Sequence, residues 1–431
     1  MRVLVTGHRG YIGSVLVGVL RNGRFDVAGL DCGFYEGCDF GRVRNQIPAF
    51  EMDLRDLEFT DLLSFDAVVH LAELPPYQSA ATSTNPHDVL PPVIDERNVE
   101  TTVRLAKCCK RAKVTRLLFA SSGAVYGDAL SGLRSGSRFR LLTEDTPPRP
   151  TDVHGATKLR CEQELSRLAD STFTPIILRN AVVYGVAPRL RLDDPTSSSQ
   201  SGLANEFSAA ALVTDQVTLQ TSGKAWRPVL HVEDLARAYS AVLRAPDEAF
   251  RGGRRAGLGA GNNILNAVDS TQNFRITAIA DAVCEAASAA RLGLPECRWV
   301  SSATRFEESD YRLDGGRLRR VCPKLAFRWN LERGVRQLRT AMLGAGFTYA
   351  DWRSDRFRRR ARLETLLERG LLSDDLRRVD GQTLELWPRT NRDGPSGVAR
   401  SGWTGKWPVG GCSPDVVVED FGNGTKPALG A

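Results

Sequence analysis

Val3-Leu4-Val5-Thr6-Gly7-His8-Arg9-Gly10-Tyr11-Ile12-Gly13 is the stretch from which the rest of the chain is read. Val3 to Val5 carry no polar face, as expected of an inner strand in a parallel sheet covered on both sides. Ile12, Val15, Leu16, Val19 and Leu20 then share one face of a helix starting at Tyr11. Between strand and helix stand Gly7, Gly10 and Gly13. Gly7 suits a tight turn, Gly10 leaves room for a phosphate, and Gly13 lets helix and strand approach. The first helical N–H groups, at Tyr11, Ile12 and Gly13, would face that phosphate with the positive end of the helix dipole. A second strand around Phe25 to Leu30 ends at Asp31, whose carboxylate would accept from the adenosine ribose hydroxyls and repel a 2′-phosphate. Turn, helix and acid in this order predict a site for NAD. NADP is disfavoured, Arg9 being the residue that keeps it in view.

Composition bounds the alternatives. The 431 residues suffice for one large or two unequal lobes, and 42% apolar with 25% charged residues is an ordinary globular balance. No apolar run has membrane-spanning length, so no membrane role is expected. A strand starting at Arg2 leaves no room for a cleaved leader, and the nine cysteines lack paired metal spacing. Reduced thiols, a cytoplasmic protein and no metal site are the expectation. The net charge of +7 comes largely from Arg-rich segments late in the chain. A solvated helix face accounts for it better than a nucleic-acid surface.

Strand and helix continue to alternate. Ala49 to Met52 read as a strand leading to Asp53-Leu54, where an acid would face adenine. Ala67 to Ala72 form a buried strand whose end, Leu71-Ala72, should run beneath the cofactor. Helices are expected over Asp95 to Ala112 and Gly155 to Leu168, strands over Arg116 to Ala120 and Pro175 to Leu178. The series predicts an α/β, Rossmann-like doubly wound parallel sheet. Four segments follow: 1–180 for dinucleotide binding, 181–350 mainly for substrate binding, as a smaller α/β lobe interleaved with the sheet, 351–380 as a basic helical extension, and 381–431 as a poorly ordered tail. Loops are expected over Leu130 to Leu142, Asp193 to Gly202 and Arg251 to Gly261.

Gly7-x-x-Gly10-x-x-Gly13, Asp31, Asp53-Leu54, His70-Leu71-Ala72, Asn98-Val99-x-x-Thr102, Ser121-Ser122-Gly123-Ala124-Val125-Tyr126-Gly127 and Arg227-Pro228-Val229-Leu230-His231-Val232-Glu233-Asp234 occur in order. The set resembles the extended short-chain dehydrogenase/reductase family, in its branch of NAD-dependent sugar-nucleotide epimerases and dehydratases, over roughly Arg2 to Ala345. The resemblance implies a nucleotide-sugar substrate and cofactor contacts from the residues above, Asn98 included. It implies a Ser that hydrogen-bonds the sugar oxygen, matched by Ser122. It implies a Lys that holds the nicotinamide ribose, matched by Lys158. It also implies a homodimer, through the two helices near Asp95 to Ala112 and Gly155 to Leu168.

The family's Tyr is replaced. Where Tyr-x-x-x-Lys is expected, the chain has His154-Gly155-Ala156-Thr157-Lys158. The spacing keeps both side chains on one helical face. An imidazole, with a reference pKa near ~6.5, can act as a base at neutral pH but is shorter than Tyr. Gly123 and Ala124 stand where 4,6-dehydratases carry an Asp-Glu pair, which argues against that dehydration. Val182 replaces a substrate-binding Asn, leaving Asn180 or Asn205 for that role. Arg227 matches an Arg that clamps a nucleotide diphosphate. Glu73 is out of place, since a carboxylate beside a diphosphate is unfavourable unless it points outward. The leading expectation is an NAD-dependent nucleotide-sugar epimerase with Ser122, His154 and Lys158 as its catalytic set. A keto-sugar reductase and a silent nucleotide-binding scaffold are the alternatives.

Overall fold

A computed structural model describes residues 1–40, 47–74, 92–129, 141–192, 202–251, 263–289, 296–301 and 310–379. Most of the three expected loops, and the whole tail from Asp380, lie outside them. β1 (Arg2–Thr6) enters the centre of the sheet, and α1 (Tyr11–Asn22) returns along it. β2 (Asp26–Asp31), β3 (Ala49–Glu51), β4 (Ala67–His70), α2 (Pro92–Arg111), β5 (Arg116–Ser122), α3 (Val153–Leu168) and β6 (Ile176–Asn180) continue the alternation. The second half contributes β7 (Val182–Tyr184), α4 (Leu203–Thr214), β8 (Gln216–Leu219), β9 (Trp226–His231), α5 (Val232–Arg244) and α6 (Glu248–Arg251). It ends with β10 (Ile264–Ala267), β11 (Asn273–Arg275), α7 (Ile276–Ser288), β12 (Arg298–Ser301), α8 (Gly316–Val321), α9 (Leu331–Gly344), α10 (Tyr349–Arg353) and α11 (Arg359–Glu368).

Seven strands form one sheet in the order β10-β6-β5-β4-β1-β2-β3, every pairing parallel. The strand order reverses between β1 and β4. In such sheets the crevice beyond the carboxyl ends at that reversal receives the ligand. Val3, Leu4, Val5, Val68 and Val69 have no exposed surface, which explains their lack of a polar face. Two smaller sheets, β11-β9-β7 and β12-β8, make the second lobe around Tyr184, Phe207 and Ile279. β10 crosses from that half of the chain to close the far edge of the large sheet beside β6.

A buried polar network locks β5, α3 and β6 together. Arg179 meets Glu162 at 2.7 Å with both side chains 3% exposed, and donates to the Tyr126 hydroxyl. Tyr126 in turn donates to Asn266 Oδ1 on β10, and the Ser121 hydroxyl donates to Glu162. These bonds satisfy charges that would otherwise be costly to bury.

The basic helical extension expected over 351–380 contains α10, a short 3-10 turn over Asp355–Phe357, and α11. Most of its apolar side chains turn inward, Val379 being exposed. Leu363 and Leu366 are fully buried against Phe34.

Candidate active site

The glycine turn closes on itself through backbone bonds: Gly7 N–H donates to Leu30 O, and Gly10 N–H to Gly7 O. Gly7 has φ +71°, and a Cβ there would sit 2.8 Å from the Ala72 nitrogen. At Gly13 a Cβ would lie 2.2 Å from the Gly7 carbonyl oxygen. Helix and strand therefore approach as the spacing predicts. Asp31 ends β2 with Oδ2 accepting from Arg9 N–H and Oδ1 from Gly33 N–H, which aims the carboxylate into the cleft. The Arg9 guanidinium turns to Glu36 at 3.1 Å and Glu51 at 3.5 Å. Carboxylates already draw on the cation that could have served a 2′-phosphate.

Tyr11, Ile12, Leu54, Leu71, Ala72 and Asn98 all line the same cleft. Tyr11 is anchored by its hydroxyl, which donates to Gly185 O. Asn98 is latched to the loop after β4, accepting from Leu74 N–H and donating to Leu74 O. Asp53 lines the cleft too, but Arg55 holds its carboxylate through two nitrogens. Burial works to raise the Asp53 pKa, and the Arg55 hydrogen bonds outweigh it. His70 is structural. Thr102 donates to Asn98 O, so His70 Nε2–H donates to Thr102 Oγ1 while Thr6 Oγ1–H donates to Nδ1. Burial pushes this imidazole down to about 3, and it stays neutral.

At the other end of the cleft, Ser122 closes β5, its Oγ accepting from Ala124 N–H. Asp152 caps α3 by accepting from Gly155 N–H, which sets His154 and Lys158 one turn apart on the cleft side. Lys158 Nζ donates to Ala120 O at 2.9 Å and lies 5.0 Å from the centre of the Phe119 ring.

Glu73 does not point outward. Its carboxylate lies 3.1 Å from Lys158 Nζ and 3.4 Å from His154 Nδ1, in the same cleft. Burial alone would raise its pKa; Lys158, then His154, hold the carboxyl well below the usual range. The acid that is out of place in the sequence is, in the fold, a bridge between two side chains one helical turn apart. The only signal was its position directly after the Leu71-Ala72 strand end. With Nδ1–H turned to Glu73, Nε2 is the basic nitrogen of His154.

The expected substrate residues separate. Asn180 lines the cleft, its amide donating to the Tyr239 hydroxyl. Asn205 does not reach it. The side chain is fully buried, accepting from Gly185 N–H and donating to Tyr11 Oη and Arg191 O, so it braces the wall behind Tyr11. Arg227 is also buried, stacked over Tyr311 and donating to Trp226 O. Tyr311, not Arg227, lines the cleft among the described residues. No group of three or more metal-ligating side chains occurs among the described residues.

The glycine turn, Asp31, Ser122, His154 and Lys158 line one cleft at the carboxyl ends of a parallel sheet. Residues 3–254 match the profile of the NAD dependent epimerase/dehydratase family, and the chain belongs to that family. NAD is the family's cofactor. The chain is 31% identical to a UDP-glucose 4-epimerase of Mycolicibacterium smegmatis, over 66% of this chain and 83% of that one. It is 27% identical to a dTDP-L-rhamnose 4-epimerase of Burkholderia thailandensis, over 79% of this chain and 94% of the relative. Among solved structures, MoeE5 in complex with UDP-glucuronic acid and NAD superposes with a TM-score of 0.58 at 25% identity, covering 80% of this chain and all of that one. No helix among the described residues is long and apolar enough to cross a membrane.

Proposed function

We propose that this chain is an NAD-dependent nucleotide-sugar epimerase in which a His154–Glu73 pair replaces the family's Tyr. The observation that carries the proposal is the bridge from Glu73 to both His154 and Lys158 beside Ser122. Gly10 and Asp31 hold the adenosine diphosphate half of the cofactor, and Lys158 the nicotinamide ribose. Bound NAD supplies the hydride acceptor and donor. Ser122 donates a hydrogen bond to the sugar oxygen, and His154 Nε2 takes the hydroxyl proton as the carbon is oxidised. Glu73 fixes the imidazole tautomer and orientation, as a buried carboxylate does for a catalytic base. The imidazolium then returns the proton when the ketone, presented by its other face, is reduced.

4,6-Dehydration, which needs an acid beside Ser122, has no comparable support. A Cβ on Gly123 would lie 3.0 Å from Leu313 and 3.1 Å from Tyr311, so the space beside Ser122 is filled by carbon rather than by an acid.

The test is proton NMR of the full chain with NAD and UDP-glucose, UDP-galactose or dTDP-sugars, following the appearance of the epimer. His154→Phe should lower the rate roughly 10²- to 10⁴-fold while NAD still binds. Wild-type protein that binds NAD yet epimerises none of these sugars, or a His154→Phe variant with full activity, would overturn it.

A further inference from the structure

We propose that Arg359, carried on a strap formed by residues 355–379, clamps the diphosphate of the dinucleotide, making the C-terminal extension part of the cofactor site. The proposal rests on the family's use of a dinucleotide and not on epimerisation.

The strap is fastened at two points. Arg362, with no exposed surface, donates to the backbone carbonyls of Phe34 and Glu36 just after β2, while Leu363 and Leu366 pack on Phe34. Further along, Arg377 meets Asp56 at 2.8 Å, Arg378 meets Glu51, and Asp375 receives Arg55 at 3.2 Å. These contacts tie the strap to the segment after β3, beside Asp53. The extension therefore covers the adenosine side of the crevice.

This fastening delivers Arg359, the first residue of α11, to the glycine turn. Its Nη2 lies 3.1 Å from the point where a Cβ on Gly10 would be, and its guanidinium sits over Tyr35. Among the described residues no carboxylate lies within 4 Å of it, although the arginines around it nearly all have one. Arg191 lines the same part of the cleft, and burial, followed by Arg191, draws the Arg359 pKa below the usual arginine value. Two guanidinium groups lining one partly shielded cleft repel each other, and an anion between them relieves that repulsion. The Gly10 side of a turn of this type is where a diphosphate is received, and a forked guanidinium already beside it is suited to hold one.

The experiment measures NAD and UDP affinities by calorimetry on the full chain, with melting curves taken without and with NAD. Wild-type protein that takes no NAD would defeat the family-based assignment itself, before any variant is considered. Given wild-type binding, Arg359→Gln should weaken NAD roughly 10- to 100-fold, reduce its salt dependence and leave UDP unchanged. The NAD-free variant should lose only the stacking over Tyr35, a small fall in melting temperature, and its gap to wild type should widen when NAD is added; a merely structural arginine would give the same gap with and without NAD. Arg360→Gln, one residue on and paired with Glu364, should leave NAD affinity unaltered. Unchanged NAD affinity in Arg359→Gln, a loss confined to UDP, or a melting-temperature gap that does not widen with NAD would each overturn the proposal.

Discussion

Glu73→Gln keeps the size of the bridging side chain and removes its charge. In the native protein the carboxylate contacts Lys158 Nζ at 3.1 Å and His154 Nδ1 at 3.4 Å. Charge-assisted contacts contribute about 1.5–3 kcal/mol each when shielded from water. A quarter of the Glu73 side chain remains open, and the amide oxygen can still accept from Lys158. The expected loss is therefore about 2 kcal/mol in total. For a chain of this length the unfolding entropy is roughly 0.9 kcal/mol per degree, so the melting temperature should fall roughly 2 °C. Urea unfolding followed by tryptophan fluorescence gives the same quantity as a shift in midpoint. Its pH dependence is diagnostic. The folded pKa lies below the ordinary 4.5, so the unfolded chain takes up the proton first as acid is added. The stability that Glu73 contributes is complete above about pH 4.5 and drains away as pH falls towards the folded value. The gap between wild type and variant should be flat from pH 8 to 5 and narrow below that. A variant as stable as wild type at pH 7, or a gap that widens in acid, would refute the bridge.

His70 should make the whole protein acid-sensitive. It stays neutral in the fold down to about pH 3, whereas the unfolded imidazole takes a proton near 6.5. Stability should thus fall with pH below about 6.5, this one group contributing on the order of 1.4 kcal/mol per pH unit. His70→Gln should flatten the slope of urea midpoint against pH between 6 and 4, and an unchanged slope would exclude the assignment. Arg179→Met should cost about 3–5 kcal/mol by stranding Glu162 without its partner. Adding Glu162→Gln should recover part of that loss in a double-mutant cycle, and strict additivity would count against the buried pair.

The large sheet was legible because its signals are local. Val3 to Val5, the glycines and Asp31 each state their role within a few residues, and Ala67 to Ala72 read as buried from their apolar run alone. Glu73 was not legible, because its meaning depends on a helix that follows about eighty residues later. Asn205 shows the reverse problem. An amide on an apolar helix suits a ligand or a wall equally well, and only the positions of Tyr11, Gly185 and Arg191 decide for the wall. Arg227 goes the same way, drawn aside by the ring of Tyr311. In the extension, Leu363, Leu366 and Leu367 stand at helical spacing, which implies an apolar face but not its destination. That destination is set by Phe34, more than three hundred residues earlier.

The late arrival of Ile264–Ala267 at the rim of the large sheet governs how the polypeptide can be made and cut. A nascent product halted anywhere before that point would carry an unpaired strand edge at Ile176–Asn180, apolar over Ile176, Ile177 and Leu178, open to the same edge on its neighbours. Nor would a proteolytic fragment ending at the first lobe be a miniature of the parent. Synthesis must run well into the second half before the barrier to misassembly is in place, which favours slow maturation and gives early termination products a tendency to precipitate.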